Sequence, residues 1–227
     1  MENRYHKNMN MLSEAEIEKL KGCRACVVGC GGLGGYILEM LGRLGVGNIS
    51  AVDGDVFDET NLNRQLLSDT CSIGKSKAEA AKTRMQLVNP LIKVMSVPQR
   101  ITPENGEEIL GGHDVIVDAV DNIDTRLLLQ EIALKLEIPL IHGAIAGWFG
   151  QVTTILPGDR TLDILYTRSG SKGIEKDLGN PSFTPALVAA VEVSEVLKLL
   201  IGRGKLLRKK ILYIDLLEQE YTVVDLR

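Results

Sequence analysis

Short apolar runs alternate with stretches of helical spacing along the first two thirds of the chain. Residues 23–28, 48–53, 92–97, 114–120 and 139–145 read as strands. Between the first two, Leu33, Ile37, Leu38, Leu41 and Leu44 recur with the 3.6-residue period of a helix over 33–46. Helical patterning returns over 76–88, where Asn89-Pro90 stops it, and over 124–136. Ser13 and Glu16 have capping-box spacing and start a short helix that runs to about Lys21. This alternation predicts an α/β fold, a Rossmann-like, doubly wound and mostly parallel sheet with helices on both faces.

The pattern changes after residue 150. "GQVTTILP", 150–157, reads as a strand stopped by proline, and 158–182 has little periodicity, which predicts a long crossover loop. Thr184-Pro185 supplies an N-cap residue and a first-turn proline for a helix to about Ile201. Two strand-like stretches, 210–216 and 220–226, close the chain as an antiparallel C-terminal extension. No internal repeat or second domain is visible. The expectation is one domain over 1–227, with an N-terminal arm and helix in 1–22.

Composition narrows the function classes. The 227 residues are 44% hydrophobic, enough for one sizeable core, and the formal charge is −4 without a basic stripe, which argues against a nucleic-acid partner. No apolar run is long enough to span a bilayer, and the polar residues 1–10 do not form a signal-peptide core. The expected compartment is the cytoplasm. The four cysteines, Cys23, Cys26, Cys30 and Cys71, include one CxxC pair with no second pair or His cluster, so they read as small core residues and no zinc is expected.

The chemistry concentrates at "VVGCGGLGG", 27–35. Gly29, Gly31 and Gly34 fit G-x-G-x-x-G between a strand and a helix, where amides and the helix N-terminus attract phosphate. Asp53 ends the next strand, where an acid can accept both ribose hydroxyls. These features alone suit a nicotinamide-dependent oxidoreductase as well as an ATP enzyme. The next block shifts the balance: "GDVFDETNLNRQLL" carries Asp55, Asn61, Arg64 and Gln65, and "GKSKAEAA" carries Lys75 and Lys77. Arg can grip phosphate through a fork and Lys as a point charge, as a triphosphate requires. "DAVDNIDTR" then places Asp118, Asp121 and Asn122 at the carboxyl edge of a strand, where a carboxylate could hold Mg²⁺.

Together, "GCGGLGG", "AVDGDVFDETNLNRQ", "GKSKAEAA" and "DAVDNIDTR" resemble the ThiF/MoeB/HesA family of ubiquitin-activating-type enzymes, over about residues 4–202. The resemblance implies an adenylyltransferase that uses ATP and Mg²⁺ on the C-terminal Gly-Gly of a small ubiquitin-like sulfur-carrier protein. It implies nucleotide packing at Gly31, Gly32 and Gly34, ribose binding by Asp53, and phosphate contacts from Asn61, Arg64 and Lys77. Asp55, Gln65 and Asn122 join the same binding set, and Asp121 takes the Mg²⁺. The arm "RYHKN", 4–8, resembles one that reaches the partner subunit's ATP, so a homodimer is implied, with Lys7 standing where relatives carry arginine. Two departures stand out. The zinc-binding CxxC pairs of many relatives are missing, and no cysteine follows Cys71. The expectation is therefore adenylylation without an enzyme–carrier thioester, with sulfur supplied by a separate donor protein.

Each residue has a structural alternative. Arg64 could pair with Asp55 or Asp58, Lys77 could be an ordinary exposed helix lysine, and Asp118 could be a structural acceptor. His113 and His142 read as structural, Trp148 as a packing residue, and Glu192 and Glu195 as the polar face of the last helix. A non-catalytic nucleotide-binding scaffold is a second rival to the adenylyltransferase, and adenylylation of a tRNA-linked carboxylate a third, disfavoured by the acidic charge.

Overall fold

A computed structural model describes residues 2–166 and 178–226. Eight strands form one sheet in the order β3-β2-β1-β4-β5-β6-β7-β8. The parallel part comprises β1 (Arg24–Val28), β2 (Asn48–Val52), β3 (Lys93–Val97), β4 (Val115–Asp118) and β5 (Leu140–Ala146). The antiparallel extension comprises β6 (Phe149–Ile155), β7 (Lys210–Asp215) and β8 (Glu220–Asp225). The doubly wound sheet with its antiparallel end is the one the patterning predicts.

Helices cover both faces because successive residues of the central strands point to opposite sides. Ala25 and Val27 face α1 (Glu14–Gly22), α2 (Gly32–Leu44) and the last helix, α7 (Phe183–Ile201), together with Leu38, Leu41, Val188 and Val196. Cys26 and Val28 face α4 (Gly106–Leu110), α5 (Ile123–Lys135) and α6 (Thr161–Leu165), together with Ile116, Leu129 and Leu162. A fully buried side chain such as Leu38 or Leu41 contributes about 1.5–3 kcal/mol through removal from water. α3 (Lys77–Val88) lies along β2 and β3.

Local signals explain most element boundaries. The Ser13–Glu16 capping box is formed, with the Glu16 amide donating to Ser13 Oγ at 3.2 Å and the Ser13 amide donating to Glu16 Oε2 at 2.8 Å. α2 stops at Gly45, whose φ of +88° and bond to Leu41 O release the chain into β2. One helix was missed and two expectations are corrected. α4 was not legible, because five residues do not complete a periodic pattern. α6 interrupts the expected 158–182 loop by burying Thr161 and Leu162; residues 167–177 of that loop lie outside the described residues. Thr184 does not cap α7: Ser182 holds that position, and Thr184 Oγ1 donates to Gly147 O at 2.7 Å.

Candidate active site

Strand order reverses between β1 and β4, and ligands of open α/β sheets bind outside such a switch point. Here the carboxyl ends of β1, β2 and β4 open into a cleft of about 710 Å³. α2, α3 and α5 all begin at its walls, at Gly31, Ser76 and Asn122, and their N-termini make it electropositive. Gly29, Gly31, Gly32, Asp53, Asp55, Arg64, Gln65, Lys77, Asp121 and Asn122 line it. Ten of the residues expected from sequence are thus brought together.

The glycines divide into two jobs. Gly29 has φ +96°, and a Cβ there would lie 2.5 Å from Ala119 O; one at Gly34 would lie 1.7 Å from Gly29 O. These two let the turn fold against the start of α2 and the residues after β4, and Gly34 does not line the cleft. At Gly31 and Gly32 a Cβ would make only ordinary contacts, with Gln65 and Pro185 as nearest neighbours at 3.5 and 3.7 Å, and their backbone faces the cleft.

Asp53 anchors the turn as it lines the site. Its Oδ2 accepts the Cys30 amide at 2.7 Å and its Oδ1 the Asp55 amide at 2.8 Å. Burial pushes its carboxyl above the usual range, against the opposing pull of those two bonds. Lys77, the first residue of α3, is buried rather than an exposed helix lysine, and its Nζ lies 3.8 Å from Asp55 Oδ2. Asp55 Oδ1 also accepts from Arg100 Nη2 at 2.7 Å. Arg64 forms an ion pair with neither Asp55 nor Asp58; its Nη1 donates to Thr60 O and Asn63 Oδ1, both at 2.9 Å, and Asp58 feels its charge without contact. Asn61 is buried in a 3-10 turn, Glu59–Asn61, and its side chain bonds the Asp58 backbone at 3.2 Å instead of lining the cleft. Asn122 caps α5 by accepting the Thr125 amide at 2.8 Å.

Asp121 is exposed at the rim and meets no hydrogen-bond or ion-pair partner among the described residues. One free carboxylate beside a cationic cleft fits Mg²⁺, which takes its other ligands from phosphate oxygens and water. No group of three or more His, Cys, Asp or Glu suited to holding a metal by itself occurs among the described residues.

Lys7 lies elsewhere. The arm forms a 3-10 turn, Asn3–Asn8, docked at the C-terminal end of α2. Arg4 Nη1 donates to Asn89 Oδ1 at 2.7 Å, and Asn89 Nδ2 donates to Tyr5 OH at 2.7 Å and Gly42 O at 2.8 Å. The 13 residues of α2 separate this end from the glycine turn by about 20 Å. Lys7 is therefore not part of its own chain's cleft.

Sequence reasoning missed Arg126. It lines the cleft, is only 5% exposed, and its partners are neutral: Nη2 donates to Val120 O at 3.0 Å and Nη1 to Tyr166 OH at 3.3 Å. Its place one turn beyond the capping Asn122 was the available signal. Glu192 and Glu195 are a correction, for neither belongs to a polar face. Glu195, 1% exposed, accepts from Thr154 Oγ1 at 2.6 Å and the Leu207 amide at 2.7 Å. Glu192 is fully buried, and its carboxyl presses on β5 at Gly143, where a Cβ would lie 2.3 Å from Glu192 Cδ. Among the described residues neither of its oxygens has a hydrogen-bond partner. Burial holds its acid form well above the ordinary carboxylate range, with Asp118 adding to the rise and Arg126 opposing it. His113 bridges Ser50 Oγ at 2.8 Å and Leu110 O at 2.9 Å and does not line the cleft. Trp148 lies outside the cleft. It is 44% exposed and tilts against Phe183 with ring centres 4.7 Å apart, beside a shallow apolar groove shared with Leu187, Leu216 and Tyr221.

A doubly wound sheet with a cleft at its switch point, walled by a glycine turn and three helix N-termini, is the architecture of a nucleotide-binding α/β protein. The profile of the ThiF family matches residues 5–227, and the chain belongs to that family. It is 37% identical over 235 aligned positions to the "Sulfur carrier protein adenylyltransferase" of Thermus thermophilus, covering 99% of this chain and 87% of that protein. It is 34% identical over 212 positions to the "SAMP-activating enzyme E1" of Haloferax volcanii, covering 92% and 78%. Among solved structures, E. coli MccB superposes with a TM-score of 0.85 at 21% identity, over 100% of this chain and 72% of that one, a likeness in fold.

Proposed function

We propose that this chain adenylylates the C-terminal glycine of a small ubiquitin-like sulfur-carrier protein ending in Gly-Gly, with ATP as donor and pyrophosphate as product. The observation that carries this reading is the convergence of Arg64, Lys77 and Arg126, with three helix N-termini, on one cleft that also presents the free carboxylate of Asp121. A polyphosphate neutralises that excess of positive charge. The names of the two relatives supply the substrate class.

The glycine carboxylate is ionised at neutral pH and needs no general base. One carboxylate oxygen attacks the α-phosphorus, the bond to the bridging oxygen breaks, and pyrophosphate leaves with that electron pair. The barrier lies in bringing two anions together and in the charge gathering on the leaving group. Backbone amides at Gly31 and Gly32 hold the phosphates without side-chain obstruction, and Asp53 fixes the ribose. Arg64 and Lys77 face the leaving pyrophosphate. Asp121 would hold Mg²⁺, which when bound would supply charge neutralisation on the polyphosphate. Gly34 and Asn61 act indirectly, by shaping the turn and the 3-10 segment. Asp55 steadies Lys77 and Arg100, and Gln65 and Asn122 border the phosphate region.

The arm, anchored through Tyr5 and Asn89 at the end of α2 remote from its own cleft, suits a homodimer in which Lys7 serves the neighbouring site. Four free thiols suit a reducing compartment, the cytoplasm. The apolar groove beside Trp148 and Phe183 suits the globular body of the carrier. We take the whole of 1–227 as one catalytic unit, with sulfur delivered to the adenylate by a separate donor protein. The test is carrier-dependent ATP–pyrophosphate exchange. Wild-type protein should catalyse it and folded Asp121→Ala should lose nearly all of it; near-normal exchange by the variant at saturating Mg²⁺ would remove Asp121 from the mechanism.

A further inference from the structure

Beneath the cleft floor lies a buried hydrogen-bond circuit that meets the proposed chemistry only at Arg126, through which it reaches the cleft wall. Asp118 and His142 are fully buried and joined at 2.7 Å through Oδ2 and Nδ1. A carboxylate can only accept, so Nδ1 carries a proton, and in the neutral imidazole Nε2 is then the acceptor. Nε2 lies 3.0 Å from Tyr166 OH, which therefore donates to it. The Tyr166 oxygen in turn accepts from Gln151 Nε2 at 2.8 Å and from Arg126 Nη1 at 3.3 Å. These bonds are mutually consistent in direction, with Arg126 Nε left without a partner among the described residues, and the assignment requires a neutral His142. Burial, which pushes His142 below its usual range, favours that state.

The two ends of the circuit meet on one residue. Asp118 Oδ1 accepts the Val120 amide at 3.1 Å, and Arg126 Nη2 donates to Val120 O at 3.0 Å. Both backbone groups of Val120 are thus held by opposite ends of one closed ring: Asp118, His142, Tyr166, Arg126. Val120 immediately precedes Asp121 and Asn122. Tyr166 comes from the segment after α6 and does not line the cleft, nor does His142.

We infer that Tyr166 and His142 are positioning residues, which clamp Val120 and thereby fix the backbone that presents Asp121 to the metal–nucleotide. The inference rests on the proposed metal-binding role of Asp121 for its functional consequence, but the clamp itself does not. Tyr166→Phe removes one oxygen and keeps the ring against His142 and over the Arg126 guanidinium, 5.4 Å from its centre. His142→Asn keeps a donor near Asp118 but cannot span to Tyr166.

The experiment has two arms. Hydrogen–deuterium exchange on the nucleotide-free protein reads the clamp directly. In either variant, amides over 119–122 should exchange roughly fivefold faster, the effect of losing one net hydrogen bond, with β1 unchanged. Calorimetric titration with ATP, in Mg²⁺ and then in EDTA, reads the consequence. The Mg²⁺-dependent gain in affinity should shrink on the order of tenfold, and affinity in EDTA should hold. The double variant should lose no more than the worse single one, since both open the same ring. Unchanged exchange over 119–122 in a folded variant overturns the inference, as does a uniform rise across the sheet, which marks general destabilisation. If Tyr166→Phe does not fold, His142→Asn answers the same question. Wild-type ATP binding that is indifferent to Mg²⁺ would refute the metal role of Asp121, and the exchange arm would still decide the clamp.

Discussion

Glu192 is the residue whose chemistry is most at odds with its place in the sequence. A glutamate on a nineteen-residue helix reads as solvated surface, yet α7 packs against both the sheet and α2, and the space for this carboxyl is made by Gly143 on β5. No linear pattern joins those positions. Its folded pKa is raised, so between the unfolded value, about 4.3, and the folded one the native state holds the extra proton. Stability must therefore fall as pH rises through that window. Glu192→Gln should be the more stable protein at about pH 8, by about 1–3 kcal/mol, with the difference shrinking towards about pH 4. Urea denaturation at several pH values checks this, and a pH-independent difference would contradict it.

The cysteines give a second prediction at this scale. Burial pushes the Cys26 thiol up to about 12, and the Cys30 thiol, also buried, lies well above its usual value. Neither supplies a thiolate at neutral pH. Cys71 is exposed but does not line the cleft. Replacing all four by Ala or Ser, in a variant that still folds, should leave adenylylation largely intact. Mass spectrometry of enzyme incubated with ATP, Mg²⁺ and carrier should show no reductant-sensitive or thioester-linked adduct; finding one would oppose the proposed chemistry.

At the scale of elements, the strands and long helices were legible because each carries a full period of apolar residues. The short α4 and α6 were not, because tertiary burial of two residues apiece holds them. The arm shows how a motif gains meaning from its docking. "RYHKN" suggested a trans role by resemblance alone, whereas the Tyr5–Asn89–Gly42 bonds give the arm a fixed seat away from its own cleft. Asn89→Ala would leave the Tyr5 hydroxyl and Gly42 carbonyl without this donor and should cost about 1–3 kcal/mol in thermal denaturation. If Lys7 completes the neighbouring site, Lys7→Ala and Asp121→Ala protomers, each weak alone, should regain exchange activity when mixed and allowed to swap subunits. Sedimentation of a fully active monomer would rule out that arrangement.

At the scale of the whole molecule, the fold positions the cleft and the cleft selects the chemistry. The glycine turn and Asp53 left nicotinamide and ATP chemistry open in the sequence, and the cations further along the chain pointed to the polyphosphate. The sheet reversal between β1 and β4 brings Arg64 and Lys77, from the crossover after β2, and Asp121, from the turn after β4, around one space. What stayed hidden was the layer below. The Asp118–His142–Tyr166–Arg126 ring draws on β4, β5, α5 and the chain beyond α6, and only the folded sheet closes it.

Adenylyl transfer to a terminal glycine changes the mass of the acceptor. The most direct measurement is the intact mass of a Gly-Gly-ended sulfur carrier after incubation with this protein, ATP and Mg²⁺, with pyrophosphate removed to hold the product. The carrier should gain one adenylyl group at its terminal carboxyl, and carrier lacking the last glycine should gain none. A carrier of unchanged mass beside an enzyme that binds ATP, or an enzyme that binds NADH in preference to ATP, would contradict adenylyl transfer.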